Sequence, residues 1–318
     1  TMESTCYLLS NEKGKEIALF SGDTLFIGDV GRPDLALKTN ITKEDLAGHL
    51  FDSIRKKILP LNDDIVIYPA HGSGSACGKN ISKETFDLLG NQKQINFALD
   101  KNLKKEEFIK EVLEGILPPP QYFPKNITLN KTEIKKTVNK IIESGTKPLS
   151  IKEFDKEIKS GALILDVRHQ KEFVKGHIPG SWFIGLDGAF APWVGNLIKD
   201  INQKIVIICP KGRSEEVVTR LARVGYDNSV GVLKGSFSSW VKNGRKIETI
   251  TQETAIELEE KQQNKINILD VRKKTEFKIE HIEMAENKPL DDIHKQNNEI
   301  EKEKEYHIHC AGGYRSII

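Results

Sequence analysis

Two cysteines end short apolar runs and are followed at once by tight loops. "IVIICPKGRSEE" carries Cys209 and "YHIHCAGGYRS" carries Cys310. A cysteine between a strand and a helix can be an activated thiol. Its thiolate is the nucleophile, and converging backbone N–H groups with a helix N-terminus favour the negative charge. Glycine lets the backbone fold tightly enough to bring those groups to one sulfur. Cys310-Ala-Gly-Gly-Tyr-Arg-Ser supplies what such a cradle needs. Gly312, Gly313 and Tyr314 are its candidate substrate contacts, and Arg315 follows them. The loop after Cys209 is one residue shorter before its arginine and has a single glycine, and Pro210 removes an N–H donor. Cys209 is therefore expected to hold an extra sulfur atom poorly, in a domain used for docking or spacing.

A second set of chemically able residues lies near the start. "SGDTLFIGDVGRPDL" puts Asp23 at a strand end, followed by a loop with Arg32. "YPAHGSGSACGKN" puts His71 at another strand end, followed by a Gly/Ser loop with Cys77 and Lys79. An aspartate and a histidine at strand ends are ordinary taken singly; only together, and with their surroundings, do they carry information. Cys6, in the alternating run "STCYLL", reads as core.

The elements that position these residues repeat. "ILDVRHQKEFVKGHI" from Ile164 and "ILDVRKKTEFKIEHI" from Ile268 share nine of fifteen positions without a gap. Each is followed by the strand that ends in cysteine, 43 residues after Asp166 and 40 after Asp270. Two copies of one fold, each about a hundred residues, follow from that spacing. "ALILDVR" and "KIVIIC" are short buried strands. "SEEVVTRLARVG" is a helix stopped by Gly225. Strand, cysteine, tight loop and helix form a doubly wound α/β unit, with reactive groups at the carboxyl ends of strands.

The front differs. "CYLLSNEKGKEIALFSGDTLF" predicts two strands joined at the Asn11–Gly14 turn, "KEDLAGHLFDSIRKKIL" and "KEEFIKEVLEGI" predict amphipathic helices, and "DIVIYPAH" a strand entering a loop. "LPPPQYFPKNI" has four prolines in eight residues and reads as an extended connector. The expected boundaries are 1–117 for the first domain, 118–144 for the connector and a joining helix, 145–248 for the first repeat and 249–318 for the second.

Composition bounds the rest. With 48 basic and 46 acidic residues the net charge is +2, which gives no case for nucleic acid or an acidic membrane surface. No apolar run reaches the ~20 residues of a membrane span. The four cysteines are scattered and never in a CxxC pair, which argues against a zinc framework or disulfides. A cytoplasmic location and a homo-oligomer are expected.

Strand–Asp-Val-Arg, Glu-Phe, His-Ile and Cys-x-Gly-Gly-x-Arg-Ser together resemble a rhodanese domain. The resemblance implies that Cys310 is the sulfur carrier, that Arg315 shapes the loop, and that Asp270 and Arg272 support the fold beside it. The segments around Asp23 and His71, with "TMESTCYLL" before them, resemble the second half of a metallo-β-lactamase αββα sandwich, in its glyoxalase II-like and persulfide dioxygenase branch. The order of parts resembles bacterial persulfide dioxygenase–rhodanese fusions and covers nearly the whole chain. The expected fold is thus α/β: part of a metallo-β-lactamase unit, then two rhodanese-like doubly wound domains, the second incomplete.

By that resemblance Asp23 is the carboxylate of an Fe(II) site. His71 remains from dinuclear relatives and would stand behind the ligands of a mononuclear iron. The family's HxHxDH motif is absent, so the sequence is expected to be truncated at both ends and the metal site to be incomplete, with zinc possible in place of iron. Two histidines and a carboxylate leave iron open positions for O2 and a thiolate. The implied reaction oxidises a low-molecular-weight persulfide of glutathione, CoA or a similar thiol to sulfite, and the rhodanese cysteine then makes thiosulfate. Cys77 is expected to face the metal cleft and to receive or relay sulfur, with Arg32 and Lys79 as contacts to an anionic thiol. Two alternatives stay open: a two-zinc thioester hydrolase of the glyoxalase II type, and a non-catalytic sulfur carrier.

Overall fold

The computed structural model describes residues 4–36, 40–72, 75, 77–79, 81–116, 123, 136–261, 266–296, 300–301 and 303–318. The chain divides into two compact units, Thr1–Pro119 and Pro120–Ile318. Most of the four-proline run lies outside the described residues.

In the first unit, β1 (Tyr7–Ser10) and β2 (Glu16–Gly22) form an antiparallel hairpin. Its turn is fixed by Asn11, whose side-chain oxygen accepts the N–H groups of Lys13 and Lys15. β3 (Leu25–Phe26) and β4 (Asp29–Val30) make a small ribbon. β5 (Val66–Pro69) runs parallel to β2, and β6 (Asp87–Leu88) closes the order β1-β2-β5-β6. Helix Lys43–Ser53 starts at Thr42, whose hydroxyl and the Asp45 carboxylate form a capping box. Its Leu46, Ala47 and Leu50 are buried. Leu50 shares a core with Leu19, Ile27 and Ile67 of the sheet side and with Phe108 and Val112 of helix Lys105–Leu113. The paired residues Tyr7, Phe20 and Tyr68 leave an exposed aromatic row on the opposite face, so both faces of this sheet are apolar.

The second unit carries the repeat. Its larger sheet is entirely parallel, in the order β7-β11-β10-β8-β9: Pro148–Leu149, Ser229–Leu233, Ile205–Ile208, Leu163–Asp166 and Trp182–Phe183. β10, "IVII", is buried at every position, as a central strand covered on both faces must be. The smaller sheet is β13-β12-β14: Glu286–Asn287, Asn267–Asp270 and Tyr306–His309, also parallel.

The two sheets match in register. Ile208 pairs with Asp166, and His309 pairs with Asp270. On the other side Asp166 pairs with Phe183 and Asp270 with Asn287. The side-chain interactions repeat too. Arg168 holds Asp166 through two nitrogens and the Gly176 carbonyl, and Arg272 does the same with Asp270 and Glu280. Phe173 stacks on His177, and Phe277 on His281. The repeated sequence is thus a repeated structure, down to the buried ion pair.

Helix Val138–Gly145, expected as part of the connector, packs against the first repeat. Its Ile141 is buried in that core, and a Cβ on Gly145 would come within 2.7 Å of Val218. The same core takes in Val271 and Leu290 of the second repeat, with Cys310, Tyr314 and Ile318 packed against it. No helix among the described residues is long and apolar enough to cross a membrane.

Candidate functional site

Cys310 follows β14 directly, at the carboxyl end of the smaller sheet. The chain then turns through Gly313 at φ +74°, a conformation that favours glycine. The turn aims the Gly313 N–H at Sγ, 3.2 Å away, and brings the Ser316 hydroxyl to 3.7 Å. Half-burial opposes ionisation of this thiol. The N–H of Gly312, the Ser316 hydroxyl and the N–H groups of Ser316 and Arg315 outweigh it, and hold the Cys310 pKa below its ordinary value. Arg315 adds its backbone N–H to this cradle, while its side chain is engaged elsewhere. Its guanidinium forks onto the Glu276 carboxylate at 2.6 and 2.7 Å and so ties the loop to helix Lys274–Ile279. That pair pulls the Glu276 carboxyl down to about 2. Gly312 and Gly313 line the sulfur, whereas Tyr314 points away and donates its hydroxyl to the Gly185 carbonyl of the first repeat at 2.7 Å.

Cys209 follows β10 at the matching place, but its surroundings are opposite. Burial, with the Asp166 carboxylate nearby, pushes its thiol up to about 11. Arg213, the loop arginine of this repeat, turns outward onto Asp187 and Glu216. Glu172, which matches Glu276 in the repeat, is exposed and makes its hydrogen bond to the His169 N–H.

In the first unit, Asp23 follows β2 and His71 follows β5, adjacent parallel strands whose carboxyl ends lie together. His71 Nε2 is 3.2 Å from Asp23 Oδ1. With Cys77 they form the one group of three metal-capable residues among those described, their ligand atoms all within 4.8 Å of one another. Ligands bound at ~2.1 Å to one ion stand about 3.0–3.4 Å apart. Asp23 and His71 therefore fit a shared cation. The set of one carboxylate, one imidazole and one thiol suits zinc at least as well as iron. Burial raises the Cys77 thiol, helped by the Asp23 charge and opposed by Ser75 and Arg32.

Both cations of this region are engaged with the protein itself. Arg32 is buried and forks onto Asp34 at 2.6 and 2.7 Å, while its N–H donates to the Cys77 carbonyl at 2.9 Å. Lys79 Nζ donates to the carbonyls of Glu111 and Glu114, at the C-terminal end of helix Lys105–Leu113. There it meets the negative end of the helix dipole. Cys6 donates to the Ser21 carbonyl and packs against the core.

The residue model of the rhodanese-like domain matches positions 150–243 and 253–318, the two repeats. The chain belongs to the rhodanese-like domain family. It is a fusion of two rhodanese-like repeats to a metallo-β-lactamase-type unit. A metallo-β-lactamase from Staphylococcus aureus is 29% identical, with a TM-score of 0.61 over 72% of this chain and 63% of that one. The hydroxyacylglutathione hydrolase GloC of Haemophilus influenzae is 41% identical over 75 residues, 24% of this chain. This chain spans about a third of that relative, 32% of its length. A thiosulfate sulfurtransferase from Pseudomonas aeruginosa is 17% identical, with a TM-score of 0.30 over 62% of this chain and 42% of that one.

Several residues that hold these sites gave little sign in the sequence. Asp29 is buried, and its carboxylate accepts the N–H of Lys79 at 2.6 Å, pinning the Cys77 loop. Gln92 and Asn96, also buried, hold the preceding turn through the Gly28 N–H and the carbonyls of Phe26 and Asp29. The one available signal is the glycine and aspartate density of "IGDVGRPD". There a Cβ on Gly31 would sit 1.7 Å from the Asp23 carbonyl oxygen, so only glycine lets that loop pass the candidate ligand Asp23. In the rhodanese-like repeats the signal was plain, because the motif itself repeats.

Proposed function

We propose that this chain is a sulfur-metabolising fusion. Its second rhodanese-like repeat carries sulfane sulfur on Cys310, and its metallo-β-lactamase-type unit oxidises a low-molecular-weight persulfide. The observation that carries this reading is the half-buried Cys310 sulfur, held by the Gly313 N–H and the Ser316 hydroxyl with its pKa lowered. The thiolate attacks the sulfane sulfur of a donor such as thiosulfate. A new S–S bond forms at Cys310, the donor's S–S bond breaks, and sulfite leaves with the electron pair. In the reverse direction sulfite takes the sulfur and thiosulfate is made. The N–H groups that stabilise the thiolate also stabilise the terminal sulfur of the persulfide, which carries the same charge.

In the other unit Asp23 and His71 would hold the metal. A bound Fe(II) would supply open positions for O2 and a thiolate, for the overall change of persulfide, O2 and water to thiol, sulfite and two protons. Asp23 and His71 emerge from adjacent strand ends and keep their donor atoms together. Cys77 brings a thiol beside them, where a persulfide could be received. The rhodanese-like repeats favour sulfur chemistry over other uses of this metal cleft.

A second reading is a zinc-dependent thioester hydrolase, favoured by the likeness to GloC and by the mixed donor set of Asp23, His71 and Cys77. The test is metal analysis of the purified protein, with O2 uptake on glutathione and CoA persulfides, thioester cleavage, and mass spectrometry of Cys310 after thiosulfate. Iron with O2 uptake and a sulfur added at Cys310 are the expected results. Zinc with thioester cleavage would replace the dioxygenase reading, and failure of Cys310 to gain sulfur would remove the sulfurtransferase one.

A further inference from the structure

Tyr314 lies inside the sulfur loop, yet its side chain leaves the second repeat. Its ring enters a slot in the first repeat between Gly185 and Gly188. A Cβ on Gly188 would come within 2.3 Å of the ring and 2.7 Å of the hydroxyl oxygen, and one on Gly185 within 2.9 Å. No side chain fits at either place while the tyrosine is there. Phe183 meets the ring edge to face at 5.7 Å, and the hydroxyl donates to the Gly185 carbonyl at 2.7 Å. Burial raises the phenol pKa, which keeps it a donor.

The segment that forms the slot is braced from behind. Arg220 donates to the Leu186 carbonyl at 2.7 Å, and Arg213 pairs with the Asp187 carboxylate at 2.6 Å. Arg213 occupies in the first repeat the place that Arg315 has in the second. Arg315 ties its own cysteine loop to Glu276; Arg213 instead ties its loop to the wall of the tyrosine slot. The cysteine beside it, Cys209, is buried and poorly ionised, so this loop has a structural contact where its twin has a reactive one.

We infer that the first repeat is the positioning element of the second repeat's sulfur site: the Gly185–Gly188 slot, braced by Arg213, grips Tyr314 and so fixes the turn that points the Gly313 N–H at the Cys310 sulfur. The inference rests on the reading of Cys310 as the sulfur carrier. Tyr314 neighbours both Gly313 and Arg315, so its anchorage limits the freedom of the backbone that makes the cradle. A tight loop held at one side chain keeps N–H groups converged; released, it loses that geometry before it loses its fold.

The experiment measures, in the full chain, the pH profile of Cys310 alkylation by iodoacetamide and the rate of sulfur loading from thiosulfate. The variants are Tyr314→Phe, Gly188→Ala and Arg213→Gln, and circular dichroism checks that each is folded. Gly188→Ala should slow loading about tenfold and move the Cys310 inflection to higher pH. Arg213→Gln should do the same more weakly, and Tyr314→Phe, which keeps the ring in its slot, should lie nearest to wild type. If Gly188→Ala does not fold, a Tyr314→Ala variant must show the tenfold loss that Tyr314→Phe does not. An unchanged Cys310 profile in folded Gly188→Ala or Tyr314→Ala protein overturns the inference. Failure of wild type to load sulfur would refute the sulfurtransferase reading instead, and the alkylation profiles would still decide whether the slot tunes the thiol.

Discussion

Cys209 and Cys310 stand at equivalent strand ends, each one residue beyond a register pair with a buried aspartate. What separates them is the following loop. Cys310 is approached by N–H groups from a loop that turns at Gly313, and its ionisation is favoured despite half-burial. The shorter loop after Cys209 begins with proline, and burial dominates. Reactivity toward iodoacetamide follows the thiolate fraction. Cys310 should therefore alkylate with an inflection below the ordinary thiol value, and Cys209 with one near 11. Mass spectrometry across a pH series reads both in one sample. Cys310→Ser should abolish sulfur transfer, while Cys209→Ser should keep most of it. Equal loss from both would show that the first loop also carries sulfur.

At the scale of elements, the Cys310 loop is attached to its own repeat by the Arg315–Glu276 fork, which joins it to helix Lys274–Ile279. The pair is partly exposed, so Glu276→Gln is expected to cost only about 1 kcal/mol at neutral pH. The pH dependence has a definite sign. Glu276 has its folded pKa depressed from 4.5 to about 2, so its contribution is complete above pH 4.5 and is lost as pH falls toward 2. Urea unfolding of wild type and Glu276→Gln should differ at pH 7 and converge near pH 2; a gap that persists at pH 2 would show that the variant acts through packing. This fork was only half legible in the sequence. The repeat, its strands, the cysteine loops and the helix after Cys209 could be read from local pattern. Glu276 could be seen as part of a repeated motif, but its partner depends on a loop length that only one copy has. The supports of the candidate metal site were less legible still. Asp29, Gln92 and Asn96 act over separations of 50 to 70 residues, through buried hydrogen bonds that leave no periodic mark. The same limit applies to Lys79. Its loop position suggested a substrate contact, but its ammonium sits at the end of a helix more than thirty residues on.

At the scale of the whole molecule, the two rhodanese-like repeats share one of the first repeat's two core clusters. Val271 and Leu290 of the second repeat are buried in the cluster built on Leu165, Ile207, Val217 and Trp193 of the first, and Tyr314 packs against it. Two domains joined by a shared core should unfold together, because opening one exposes apolar surface of the other. The chain offers a direct probe of this. All three tryptophans, Trp182, Trp193 and Trp240, lie in the first repeat, so tryptophan fluorescence reports on that repeat alone. Leu290→Ala removes a buried side chain of the second repeat and should cost about 2–5 kcal/mol if its site cannot collapse. If the repeats are one cooperative body, the fluorescence transition in urea must move to lower concentration by that energy divided by its slope, with the slope unchanged. If they are independent, the fluorescence curve will match wild type while the protection of β12 and β14 amides against hydrogen exchange falls. The shared core makes the first outcome the expected one. It would also mean that a mutation far from Cys310, anywhere in the common cluster, can lower sulfur transfer by releasing the fold that holds the loop.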